Sequence, residues 1–110
     1  MTSVIFYTRN NTFAGFEISG HSGYSESGSD IICAALSAMT SLVVTALENS
    51  GHKYSFNADE KIPKAVLVAE TPTAISENLF QSLYREAAEL SREYPKYVAV
   101  KKREYHKGVN

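Results

Sequence analysis

The sequence predicts an α+β fold with the element order ββαββαβ and a mainly antiparallel sheet. Three observations lead there. Short segments rich in β-branched and aromatic residues are separated by polar or glycine-containing turns. Two longer segments instead carry helical features, with capping residues ahead of them and stop signals behind. The strands come in pairs close enough for hairpins, which favours antiparallel pairing over alternating β-α units.

Ser3–Arg9 and Phe13–Ser19 read as a hairpin around the turn Asn10-Asn11-Thr12. The alternation in the second strand is imperfect, as expected if both its faces are partly covered. Gly20–Ser29 is a loop dense in glycine and serine. The first helix runs from about Ser29 to Asn49, with Ser29 or Asp30 as N-cap and Asn49-Ser50-Gly51 as the stop. Its interior IICAALSAMTSLVVTAL has no charge on any side, which predicts a fully buried helix, within the domain or between subunits. Ala35, Met39, Leu42, Val43 and Ala46 offer a partner more apolar surface than one sheet face can cover.

His52–Asn57 and Ala65–Glu70 read as strands joined by the polar turn Ala58–Lys61, with Pro63 close behind. Thr73 to about Tyr94 is an amphipathic helix with the stripe Ile75, Leu79, Leu83, Ala87 and Leu90. After Pro95, Tyr97–Val100 is the last strand, and KKREYHKGVN is a basic tail.

Residues 1–110 fit a single domain. A formal net charge of −1 gives no global reason to expect nucleic acid or an anionic membrane. No apolar run reaches the ~20 residues of a membrane span, and the N-terminal residues lack signal-peptide character. One cysteine makes no internal disulfide, so a cytoplasmic setting is expected.

The chemistry concentrates in GHSGYSESGSDIICAALSA, Gly20–Ala38. With Asp30 as cap, Cys33 falls in the first helical turn, where unpartnered N–H groups favour a thiolate and can hold an oxyanion. His21 is placed to act as general base or as the imidazolium of an ion pair. Asp30 either orients His21 or only caps the helix. The bland alternative is a small core cysteine beside a surface histidine, and physical reading alone leaves the two level. Cys33, His21, His52 and His106 share no metal-ligand spacing, so neither a metal nor a cofactor is expected. GHSGY is no serine-hydrolase elbow, because the pattern around Ser22 fails at Tyr24.

Gly20-His21-Ser22-Gly23-Tyr24, followed by Gly28-x-Asp30-Ile31-Ile32-Cys33-Ala34-Ala35-x-Ser37-Ala38, closely resembles the signature of the ribosomal-processing cysteine protease Prp family. The resemblance implies a cytoplasmic, homodimeric cysteine endopeptidase with His21 and Cys33 as its catalytic pair. The implied substrate is the N-terminal peptide of a large-subunit ribosomal protein, cleaved after a phenylalanine in a hydrophobic peptide. It further implies a moving substrate loop holding Ser22, Gly23, Tyr24 and Gly28, and an α/β/α sandwich in which a mixed, mainly antiparallel sheet carries helices on both faces. Two other functions remain to be discriminated: a non-enzymatic ribosome-associated binding module with a structural cysteine, and a redox-sensing thiol.

Overall fold

The computed structural model describes residues 1–21, 23–25, 30–59, 61 and 64–106. The elements are β1 (Thr2–Arg9), β2 (Thr12–Ser19), α1 (Ile31–Asn49), β3 (Tyr54–Asp59), β4 (Lys64–Ala69), α2 (Ala74–Glu93) and β5 (Val98–Glu104). The strands form one mixed sheet in the order β3-β4-β2-β1-β5, antiparallel throughout except for the β1–β5 pair.

The β1–β2 hairpin closes through Asn10 and Asn11, both at positive φ (53° and 64°), the left-handed pair that a two-residue hairpin turn needs. A register shift between Tyr7 and Thr8 explains the imperfect alternation of β2, whose middle residues are buried on both faces. Gly15 is required by packing: a Cβ there would sit 2.1 Å from the Leu67 carbonyl oxygen on β4. β3 continues through Ala58 and Asp59, where a turn was expected, because these residues pair with Ala65 and Lys64. β5 runs four residues into the expected basic tail, since Ile5–Thr8 of β1 take Lys101–Glu104 as parallel partners.

The layering differs from the expected sandwich. The buried residues of both helices, including Ile32, Leu36, Val43, Leu47, Phe80, Leu83 and Ala87, join one cluster with Val4, Phe6, Phe16 and Leu67 on a single sheet face. Period-two alternation sends Ile5, Tyr7, Val66 and Val68 to the other face, where, among the described residues, Tyr105 is the partly buried hydrophobic packed against them. That face is finished by polar side chains: Tyr7 donates to Glu17 (2.8 Å), and Lys64 pairs with the same carboxylate oxygen at 3.5 Å.

Helix α1 is also not fully buried. Ile32, Leu36, Val43 and Leu47 face the core, while Ile31 (55% exposed), Ala34, Ala38 and Leu42 (69% exposed) form an uncharged outer stripe. At 19 residues with mean hydropathy 1.9, it is long and apolar enough to cross a membrane, against the expectation from run length. Its core-facing residues give it an ordinary role as the packing helix of a sheet. Val43, which the sequence offered to a partner, belongs to the core. In α2, Thr73 caps through a reciprocal pair with Ser76, and the buried stripe is Ser76, Phe80, Leu83 and Ala87. Ile75 lies outside it and is exposed.

Candidate active site

The start of α1 is built around Asp30. Its extended backbone (φ −80°, ψ 100°) makes it the N-cap, and its side chain accepts hydrogen bonds from the N–H groups of Ile32 (3.0 Å) and Cys33 (3.1 Å). The Ala34 N–H donates to the Asp30 carbonyl. The Cys33 thiol donates to the second carboxylate oxygen of Asp30 at 3.3 Å. Ser29, the other candidate cap, lies outside the described residues.

This geometry corrects one expectation. The Ile32 and Cys33 N–H groups are not free to receive an oxyanion, because a carboxylate tethered three residues back already occupies them. Asp30 therefore does two jobs at once: it caps the helix and holds the hydrogen of the Cys33 thiol.

His21 reaches the same place from the sheet. Gly20 ends β2 with φ +83°, and a Cβ there would lie 2.6 Å from the Met1 carbonyl oxygen, so only glycine turns the chain at this point. The exposed His21 follows immediately. Cys33 is half-buried. Both residues line one cavity of ≈ 490 Å³ between α1 and the sheet. The helix wall continues from Cys33 to Leu36, Ser37 and Thr40; the sheet wall includes Thr2, Ile18, Phe56, Ala58 and Ala65, with the charged Asp59 and Lys64 beside them. Phe56 is 44% exposed on the edge strand β3, where it presents a ring to whatever enters. A thiol and an imidazole at one end of a largely apolar trough suit acyl transfer on an extended apolar chain.

Of the remaining predicted loop residues, Gly23 and Tyr24 are described and do not line the cavity. Gly23 has φ +74° with nothing within 4 Å of its missing Cβ. The Tyr24 ring packs edge-on against Tyr94 (5.6 Å) and Tyr97 (5.3 Å). Ser22 and Gly28 lie outside the described residues. Among the described residues, no three His, Cys, Asp or Glu side chains converge as a metal site would require.

Sequence reading missed Ser37, Thr40 and Phe56. The first two were within reach, since they follow Cys33 by four and seven residues and so share its helix face. Phe56 was not, because nothing local to β3 tells which face meets α1.

Among curated proteins no sequence matches the chain. Solved structures do match in fold. The S. aureus essential ribosomal processing protease Prp, in complex with a covalently linked product peptide, superposes with a TM-score of 0.86 at 19% identity, covering 94% of this chain and 100% of that one. SMU.848 from Streptococcus mutans gives a TM-score of 0.79 at 26% identity over 96% of each chain. The S. aureus protease with a substrate peptide gives 0.77 at 16% identity, covering 94% and 100%. The family model described as Cysteine protease Prp matches residues 1–99. With the family model matching nine-tenths of the sequence, the chain belongs to the Prp protease family.

Proposed function

We propose that the protein is a cysteine endopeptidase that removes the N-terminal extension of a large-subunit ribosomal protein, with Cys33 as nucleophile and His21 as general base. The observation that carries this reading is the meeting of His21 and Cys33 at one cavity, although the two arrive from different elements. Membership of the Prp family supports it, as does likeness to a fold solved with substrate and product peptides.

In the proposed reaction His21 takes the thiol proton and Sγ attacks the scissile carbonyl carbon. The C–N bond breaks, and the imidazolium passes the proton to the leaving amine. Water, deprotonated by His21, then attacks the thioester, and the thiol regains its proton. The thiol hydrogen bonds to Asp30 at rest, so Asp30 must release it before His21 can act. The same movement frees the Ile32 and Cys33 N–H groups as oxyanion donors. Gly23 and Tyr24, with Ser22 and Gly28, belong to the substrate loop in this scheme, and no cofactor takes part.

The protein is further proposed to be a cytoplasmic homodimer. The uncharged stripe Ile31, Ala34, Ala38 and Leu42 on α1 supports the dimer, since this exposed apolar helix face suits a second copy. The direct test is incubation of the wild-type, Cys33→Ala and His21→Ala proteins with the extended ribosomal protein, followed by mass measurement. The proposal expects a shortened product from the wild type alone, with both variants folded. Binding without cleavage by the wild type would favour a non-enzymatic ribosome-associated module.

A further inference from the structure

Two hydroxyls on the cavity walls have no hydrogen-bond partner among the described residues: Thr2 Oγ1 and Thr40 Oγ1. Thr2 is 2% exposed, and the Thr40 oxygen is itself buried. A buried hydroxyl without a partner is costly, and buried polar groups are nearly always satisfied. These two lie on opposite walls of the one cavity that holds the thiol.

Their positions are informative. Thr2 begins β1 beside Gly20, its Cα 3.9 Å from where a Gly20 Cβ would stand, so its hydroxyl is close to the segment that carries His21. Thr40 follows Cys33 by seven residues, about 10.5 Å along the helix axis. An extended peptide advances about 3.3 Å per residue, so that distance spans about three residues. Between these points the walls are mostly apolar, with Ile18, Leu36, Phe56 and Ala65, and carry the polar Ser37 as well.

We infer that Thr2 and Thr40 are specificity-determining residues whose hydroxyls bind polar groups of an extended, otherwise apolar peptide. Thr2 serves the reacting end, and Thr40 a backbone amide about three residues from the scissile bond. The trough thereby selects for main chain as well as for apolar side chains. A ligand that is apolar throughout leaves both hydroxyls unpaired and is rejected for that reason.

The inference rests on the peptidase reading, and its test separates the two. The probe is a synthetic peptide spanning the N-terminal extension of the large-subunit ribosomal protein proposed as the substrate. Binding is measured by calorimetry on the Cys33→Ala protein, which holds the peptide without turnover. Adding Thr40→Val or Thr2→Val, which keep shape and remove only the hydroxyl, should weaken binding about tenfold. Thermal stability should stay level or rise, because an orphaned polar group has been removed. N-methylation of the peptide amide about three residues from the scissile bond should weaken binding to the Thr40 protein and add nothing in Thr40→Val. Unchanged affinity in both valine variants, or a fall in melting temperature, overturns the inference alone, since the hydroxyls then serve the fold. No binding by Cys33→Ala overturns the peptidase substrate as well.

Discussion

Asp30 is the residue where stability and reactivity are most tightly joined, and two substitutions separate them. Its carboxylate caps α1 through the Ile32 and Cys33 N–H groups and accepts from the Cys33 thiol. Asp30→Ala removes all three bonds. Loss of such a cap costs about 1 kcal/mol, up to about 2. For a chain of this length each kcal/mol lowers the melting temperature by about 4 °C, giving a fall of about 4–8 °C. Asp30→Asn keeps a capping oxygen, and asparagine caps as well as aspartate, so its melting temperature should fall by no more than about 2 °C. Its amide nitrogen, however, cannot accept from the thiol. Release of one hydrogen bond of about 1 kcal/mol should speed alkylation of Cys33 about fivefold in both variants. The assays are thermal denaturation and the rate of iodoacetamide modification at neutral pH. The reasoning fails if Asp30→Asn is as unstable as Asp30→Ala, or if alkylation slows in Asp30→Asn. The latter would mean that the carboxylate assists the thiol, for example by orienting His21.

Three other expectations follow from the packing. Burial, reinforced by the bond to Glu17 and that carboxylate's charge, pushes the Tyr7 hydroxyl up to about 12, so the folded state keeps this proton after the unfolded chain has lost it. This contribution is fully present below about pH 10 and is lost between about pH 10 and 12; it amounts to on the order of 2–3 kcal/mol. Tyr7→Phe should abolish that alkaline loss in denaturant titrations, and an unchanged limb would contradict it. Gly20→Ala forces a side chain into φ +83° against the Met1 carbonyl, which should cost more than about 1 kcal/mol and impair cleavage through the neighbouring His21; a variant of wild-type stability and activity would refute this. Leu42→Asp, at a 69% exposed position of α1, should leave the fold intact while converting a dimer to a monomer by light scattering; a wild type already monomeric at micromolar concentration removes the dimer.

Much of this was legible locally. Asp30 and Thr73 announce their helices because a cap is a matter of a few adjacent residues, and Asn10-Asn11 announces its hairpin for the same reason. That His21 and Cys33 come to one cavity is foreshadowed by their place in one short motif. What depended on distant partners was not. KKRE reads as a solvated tail until β1 supplies a parallel edge for it. An uncharged helix shows that it seeks apolar contact, yet Leu42 and Leu47 carry the same composition signal and only packing distinguishes exposed from buried. The layering escaped because periodicity says which residues share a face and not which face two helices choose. The occupied N–H groups at Cys33 escaped because the cap itself takes them, and reading Asp30 as a cap did not remove those groups from the expected oxyanion site.

The central claim is covalent: Cys33 carries the peptide during turnover. Mixing the wild-type protein with the extended ribosomal protein, quenching in acid within the first turnover and mapping the adduct by mass tests it most directly. The account predicts added mass equal to the released N-terminal fragment less one water, as a thioester requires, located on Cys33, and none in Cys33→Ala. Cleavage that persists in Cys33→Ala, or an adduct on any other residue, would contradict it.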